Sequence, residues 1–587
     1  MVYYVSMYIE TVPNRSSPPA ILLRESVRHG AKVLKHTLAN LSDWPTEKLN
    51  AMRFVLQGKK MVLFDDVFTV ERSIPHGHVE AVLGTIRRLG LDSLIGTKRS
   101  RERDLIVSAI ASRILFPASK LATTRHWEST TLPEELSIAD ADEDDLYDAM
   151  DWLFSRKDAI EKKLAQRHLS DGSLVLYDAS SSFYTGHTCP LARFGHDRDK
   201  SGLPIILYGV LTDAQGRPVA VDIYPGNTAD CTTVPDQANK ICKKFGLAHM
   251  ALVGDRGMIT QVQITRFQEY PDLGWISALR SHSIQELLEA GTLQRSLFDQ
   301  QNLAEISSPE FPGERLIACY NPLMAQKRAR SREALLAATE QRFTRLAAEV
   351  KRRTKNPLSA ARIGEKAGRL KDRYKMGKHF DLLIADGSFG FTRKKAEIAQ
   401  EALADGIYVI RTSEPAERLS AEDTVRSYKS LAQVERAFRC LKGMDLMVRP
   451  IFHRTEERVK AHIFLCMLAY YVEWHMRQSL APLLFADEDL NEDRKTRDAV
   501  APAQPSASAR EKKATHKTTD EFPAHSFQTL IKALGTRCRN LCRVKSASSK
   551  DKSITASDAT SEATECLTTQ ITTPTRLQAR AFELLGL

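Results

Sequence analysis

Between residues 101 and 115, and again from 144 to 164, apolar positions recur every three or four residues with polar faces between them, which predicts two helices. Before them, residues 3–11, 20–25 and 60–68 are short β-like runs, so residues 1–170 read as a mixed α/β leading domain. From Gly172 the period changes. The runs SLVLYDASSSFY, PIILYGVLTD and RPVAVDIYP are apolar and β-branched, with turn-rich joints such as Asp213-Ala214-Gln215-Gly216, and predict three successive antiparallel strands. A helix-like stretch at 233–245 leads to MALVGDRGM, which reads as a buried strand, and a short strand, WISAL, follows at Trp275.

Three strands, a helix, then strand and helix again is the order of a ribonuclease-H-like core. The fold class expected is therefore α/β, with a mixed sheet whose first part is residues 171–280. Residues 281–420 interrupt it with basic helical sequence and β-like runs at 380–384 and 406–412, and an insertion of this length predicts a subdomain of its own. Helices at 427–442 and 457–478 predict the second part of the core, 421–485. After Phe485 the sequence turns to Asp, Glu, Lys, Ala, Pro and Ser, too little apolar surface to order itself, so 486–525 is expected to be a disordered linker. The tail, 526–587, shows helical patterns at 527–542 and 575–587 around a Ser/Thr-rich gap.

Charge sharpens this picture. The net charge is +11 over 587 residues, yet residues 321–380 alone hold seventeen Lys or Arg against five Asp or Glu. An imbalance of one sign favours a polyanionic partner over an ordinary solvated face. Lys351, Arg352, Arg353 and Lys355 are the densest candidates for nucleic-acid contact; Ser119-Lys120 and Arg125-His126-Trp127 are further groups suited to phosphate. The longest apolar stretch, 461–471, is too short to span a bilayer, and the N-terminus lacks the basic start and apolar run of a signal peptide. A cytoplasmic protein with no membrane partner is expected. Nine scattered cysteines without repeated Cys-x-x-Cys pairs argue against a disulfide framework or zinc ribbon, and Cys538 and Cys542 read as ordinary thiols on a helix. The chain has no Gly-x-x-x-x-Gly-Lys-Ser/Thr loop, so no nucleotide cofactor is expected.

Asp178 ends the apolar run Leu174-Val175-Leu176-Tyr177, and Asp255 ends Ala251-Leu252-Val253-Gly254. Asp commonly ends strands, so either residue alone reads as a turn former. Two at matching strand ends invite a shared site for a hard cation such as Mg²⁺, which takes oxygen ligands. A third group comes from SYKSLAQVERAFRCLK. Tyr428, Glu435 and Lys442 are spaced by seven and seven, nearly two helical turns each, and so lie on one stripe. Leu431, Val434, Phe438 and Leu441 fall at core spacing on the same segment. By itself, a surface helix with incidental charges explains these residues equally well.

Together the residues resemble the DDE transposases of bacterial insertion sequences, in the branch with a long insertion between the second Asp and the Glu and a Tyr-Arg-Glu-Lys signature on the last helix. In that signature two residues separate Tyr from Arg, three separate Arg from Glu, and six separate Glu from Lys. Tyr428, Glu435 and Lys442 fall in place; the Arg position is Leu431, leaving Arg436 or Arg439 as the neighbours to take over a contact with DNA ends. The segment GHDRDKSGLPIILYGVLTDAQGRPVAVDIYPGNTAD, with Pro225-Gly226-Asn227-Thr228, and DRGM at 255–258 are also similar to the family, and the likeness spans roughly residues 20 to 480.

The resemblance implies that Asp178, Asp255 and Glu435 hold two Mg²⁺ or Mn²⁺ ions about 4 Å apart for phosphoryl transfer on a DNA strand. Hydrolysis at an element end would expose a 3′-hydroxyl that then attacks target DNA. Arg256 and Lys442 would touch phosphates beside the scissile bond, with Tyr428 packed or hydrogen-bonded there. The partners implied are double-stranded DNA, as element ends and as target, and a second copy of the chain in a homodimer on DNA, within the bacterial cytoplasm and on the nucleoid. Two alternatives share the core: a catalytically inactive, transposase-derived DNA-binding protein, and a ribonuclease-H-like nuclease without strand transfer.

Overall fold

The computed structural model describes residues 5–15, 18–29, 32–59, 68–544 and 566–587. The chain divides into two units, Met1–Ile74 with Cys538–Thr572, and Pro75–Arg537 with Thr573–Leu587. In the first, β1 (Val5–Val12), β2 (Ala20–His29) and β3 (Lys32–Asn40) form an antiparallel meander. Arg24 and Lys35 reach Glu10 across it at 2.7 and 3.2 Å. The β-like run expected at 60–68 lies outside the described residues except for Phe68, where β4 (Phe68–Pro75) begins.

The second unit is built on an eight-stranded mixed sheet. Its strands are β5 (Leu174–Phe183), β6 (Ile205–Asp213), β7 (Pro218–Pro225), β8 (Met250–Gly254), β9 (Leu273–Ala278), β10 (Leu303–Ile306) and β11 (Arg315–Tyr320). A separate hairpin of β12 (Phe380–Ala385) and β13 (Ser388–Arg393) precedes the last sheet strand, β14 (Ile407–Thr412). The order is β10-β11-β14-β9-β8-β5-β6-β7, with β5, β8 and β9 parallel and every other neighbour antiparallel. All nine residues of β6 are buried, the run of a strand covered on both faces. A Cβ on Gly209 would lie 2.1 Å from the Tyr177 hydroxyl; glycine there lets that phenol reach Thr233, 2.8 Å away.

The helix Glu456–Ser479 runs through the middle of the unit, apolar all round and buried from Ala461 to Glu473, and packs on β7 and on the helices Arg101–Leu115 and Glu143–Ser155. No single helix among the described residues is long and apolar enough to cross a membrane. The helix expected at 144–164 is two, Glu143–Ser155 and Lys157–His168, divided at Arg156. The second aims Lys157 and Glu161 into a buried ion cluster in which Lys240 meets Glu161 at 3.0 Å and Asp222 of β7 at 2.6 Å. Residues 75–170 thus pack with the large sheet and do not form a domain with β1–β4. Lys120, read as a phosphate contact, is buried, and Trp127 turns its indole N–H inward to Ser112 at 3.2 Å.

The insertion is narrower than its sequence implies. β10, β11 and β14 extend the sheet, while the helices Pro322–Arg352 and Ala360–Arg373 and the β12–β13 hairpin form their own core around Phe343, Phe380 and Phe389. Residues 486–525, expected to be disordered, carry the helices Leu490–Thr496 and Ala507–Thr515. Composition misjudged this segment because it borrows its order from neighbours: Val500 is buried in the main core, and Lys429 donates to the Ala499 and Ala501 carbonyls at 2.6 and 3.0 Å. The helix expected at 527–542 ends at Gly535, and Cys538 and Cys542 lie on a strand, β15 (Cys538–Val544), between β4 and β16 (Cys566–Ile571). Much of the Ser/Thr-rich gap, 545–565, lies outside the described residues.

Candidate active site

β5 and β8 run parallel with Tyr177 opposite Gly254, so the next residues, Asp178 and Asp255, emerge at matching positions of adjacent strands. Such strands are about 4.8 Å apart, which brings the two carboxylates to one edge of the sheet. Asp178 is half-buried within β5, and its Oδ1 accepts from the Ala179 N–H at 2.8 Å. Asp255, exposed, opens a tight turn in which its carbonyl accepts from the N–H groups of Met258 and Ile259 at 2.9 and 3.1 Å.

The expected single helix at 427–442 is broken. Ala421–Lys429 and Leu431–Lys442 are separate helices meeting at Ser430, so Tyr428 does not share a stripe with Glu435. The break is what lets each side chain meet the sheet from its own direction. Tyr428 donates to Asp255 Oδ1 at 3.3 Å from the last turn of the first helix. Val434, Ala437, Phe438 and Leu441 bury the second helix against β5 and β6, which leaves Glu435 exposed on its outer face. Glu435 and Lys442 then line, with Asp178, an open cavity of about 500 Å³.

The cavity carries charges of both signs. Burial pushes the Asp178 carboxyl up to about 6; Arg198 and the Ala179 N–H oppose this, and the charges of Asp255 and Asp230 add to it. Burial lowers Lys442 to about 8, with Arg449 and Arg198 pushing the same way and Asp199 and Asp178 resisting. The Tyr428 hydroxyl is raised by burial and by Asp255, which keeps it a donor. Among the other lining residues, Arg198 donates to the Ala179 carbonyl and pairs with Asp230 at 2.5 Å, while Arg449 pairs with Asp199 and stacks on Phe183 at 4.9 Å. The cavity thus offers carboxylates suited to a hard cation and, among them, guanidinium and ammonium groups suited to an anion.

The family model of the transposase DDE domain matches residues 170–472, just over half of the chain. The chain belongs to this DDE transposase family. No curated protein matches it. The matched span starts four residues before β5 and ends within Glu456–Ser479, so the DDE domain includes the sheet, the insertion and the cavity.

Within the DDE domain the remaining expected residues scatter. Arg439 lines the cavity; Arg436, one turn away on the same helix, is exposed and does not. Arg256 is exposed beside Asp255, where its charge acts on Tyr428. Lys351, Arg352, Arg353 and Lys355 are exposed at the C-terminal end of the helix Pro322–Arg352 and just beyond it, and none lines the cavity. Arg353 spends part of its fork on Glu349 at 3.3 Å. Missed were Arg198, Asp199 and Arg449. A signal existed for two of them in the dense charge of Asp197-Arg198-Asp199-Lys200 shortly before β6, within a segment already noted for its likeness to the family.

As a metal site the three candidate carboxylates are open. Among the described residues, one group of three candidate ligands lies within 4.8 Å of one another, and it is Cys440, Asp445 and Glu473. Arg477 already fills that group, at 2.9 Å from Asp445 and 2.6 Å from Glu473, which makes it an ion-paired part of the core. Asp178, Asp255 and Glu435 stand farther apart, as exclusively oxygen donors, the set that Mg²⁺ and Mn²⁺ prefer.

Proposed function

We propose that this chain cuts DNA at the ends of a mobile element and transfers the resulting 3′-hydroxyl ends to target DNA. The observation that carries the reading is the placement of Asp178, inside β5, beside Asp255, just past the end of the parallel neighbour β8, with Glu435 lining the same cavity as Asp178. The strand order β7-β6-β5-β8-β9, an antiparallel meander joined to parallel strands, supports a ribonuclease-H-like core beneath it. Asp178, Asp255 and Glu435 are the residues to hold two Mg²⁺ or Mn²⁺ ions. Raised by burial and by Asp255, the Asp178 carboxyl is in the electrostatic state that a divalent cation relieves. Bound there, the ions supply activation of the attacking oxygen and stabilisation of the leaving one.

The chain's own groups supply the rest. Tyr428 holds the Asp255 carboxylate in orientation, and Lys442 and Arg256 bind phosphate oxygens beside the scissile bond. Water attacks first and the freed 3′-hydroxyl second, at one site, so neither a covalent protein intermediate nor a nucleotide is needed. Two element ends must meet, which makes a dimer on DNA the working form.

The test is incubation of the protein with Mg²⁺ or Mn²⁺ and a labelled duplex carrying the DNA that flanks its gene, beside Asp178→Ala, Asp255→Ala and Glu435→Ala. Metal-dependent nicking and joining, lost in all three variants while binding persists, is the expected result. Nicking without joining would make it a nuclease. Binding without cleavage, equal in all four proteins, would make it an inactive DNA-binding relative.

A further inference from the structure

The cationic wall of the cavity is more elaborately built than a surface charge patch. Arg449 follows the Leu431–Lys442 helix, in a loop tied down by two buried side chains: Arg113 donates to the Met447 carbonyl at 3.4 Å, and the His462 ring meets the Val448 carbonyl at 2.9 Å. Its guanidinium stacks on Phe183, the last residue of β5, and Asp199 takes one of its nitrogens. Asp199 is itself fixed by a turn in which the Asp197 carboxylate accepts from the Asp199 and Gly202 N–H groups at 2.9 and 3.2 Å and from the Ser201 hydroxyl at 2.8 Å. That loop is clamped to the next one. A Cβ on Gly195 would lie 1.9 Å from the Gly226 carbonyl oxygen, and Gly226 N–H donates to Leu191 at 2.9 Å.

Arg198, from the same turn, is anchored at the sheet by the Ala179 carbonyl and by Asp230. Two guanidinium groups from separate loops are therefore held at the cavity that Asp178 and Glu435 also line, with Arg198 next to Asp178 through the Ala179 carbonyl. An arginine fork has five donors, and each carboxylate pairing here uses one nitrogen, leaving donors for whatever enters. Planar forks held in fixed orientation match the paired oxygens of a phosphodiester.

We propose that Arg198 and Arg449 bind backbone phosphates of the substrate DNA strand, and that Asp199 is the positioning residue that aims Arg449. This rests on the proposed DNA-strand chemistry and adds to it the part of the cavity that holds the strand. Arg449 grips through its stacked fork, and Arg198 grips the strand where it passes Asp178.

The test is the salt dependence of binding to the duplex carrying the gene-flanking DNA, in Ca²⁺ to separate binding from cleavage, with thermal melting to show that each variant is folded. Each lost phosphate contact flattens the slope of log affinity against log salt by about 0.9. Arg198→Gln and Arg449→Gln are expected to show that change and about tenfold weaker binding, while Arg580→Gln, on the C-terminal helix and paired with Glu583 and Asp520, leaves the slope alone. Asp199→Asn keeps both arginine charges, so its slope stays and its affinity falls several-fold. Should a glutamine variant unfold, Arg449→Lys and Arg198→Lys keep the charge and lose the fork, and are expected to weaken binding at unchanged slope. Slopes and affinities equal to wild type in the folded arginine variants overturn the proposal and leave the DNA reading standing. A wild-type protein that binds no DNA at any salt overturns that reading and this inference with it.

Discussion

Tyr428 donates its hydroxyl to Asp255 across 3.3 Å, from a helix that ends one residue before the helix carrying Glu435 begins. The phenol thus contacts a candidate ligand of the site, and the proposed role of that contact is to orient the carboxylate. Removing a hydrogen-bond partner of a metal-ligating group typically costs 10- to 100-fold in metal affinity. Tyr428→Phe is therefore expected to weaken Mn²⁺ binding about tenfold in calorimetric titration, with little change in melting temperature. Unchanged Mn²⁺ affinity would assign Tyr428 to packing alone.

Asp178 is raised to about 6, first by burial and then by Asp255. Its folded-state value exceeds the ordinary Asp value of 3.8, so the folded protein binds more protons between those limits and loses stability as the pH rises through them. Above pH 6 the ionised carboxylate is a standing cost. Asp178→Asn is expected to stabilise the metal-free protein at pH 8 by on the order of 2 kcal/mol and to abolish cleavage. Melting curves at pH 8 and pH 4 check this, since the gain should vanish at the lower pH.

Lys442 is lowered to about 8 by burial and by Arg449 and Arg198. Its charge is complete below that value and lost as the pH rises through it, so its phosphate contact should weaken above pH 8. DNA, being anionic, should raise the value again and take up a proton on binding. Affinity measured from pH 7 to 9.5 is expected to fall in wild type and to stay flat in Lys442→Arg; parallel curves for the two would remove Lys442 from the contact.

Val500 is 1% exposed in the segment that composition marks as unfolded. Val500→Asp buries a charge without a partner, which costs several kcal/mol and should release the segment to proteolysis between residues 486 and 525. Wild type should resist the same protease. Cleavage of wild type there at an equal rate would return the segment to the disordered class.

Much of the sheet was legible because its signals are local. The β-branched runs of β5, β6 and β7 and the acid that follows β8 can be read one strand at a time, whereas Asp178, expected to end its strand, lies inside β5, which continues to Phe183. The spacing of Glu435 and Lys442 held because one unbroken helix carries both. Tyr428 was misplaced because Ser430, at φ −67° and ψ −14°, interrupts the helix without leaving helical space, and neither glycine nor proline announces the bend. Arg198 and Arg449 could not be paired from sequence at all: some 250 residues separate Arg449 from the Asp199 that aims it.

By itself the sequence determined the succession of strands, the acids that follow the apolar runs 174–177 and 251–254, and the helical spacing of Glu435 and Lys442, because backbone sterics and burial period act over a few residues. Only the tertiary structure decided that Tyr428 meets Asp255, that Arg198 and Arg449 wall the cavity, and that residues 75–170 and 486–525 join the large unit. Those outcomes depend on which apolar faces cover one another, and a face finds its partner by packing across the whole chain, which no local pattern records.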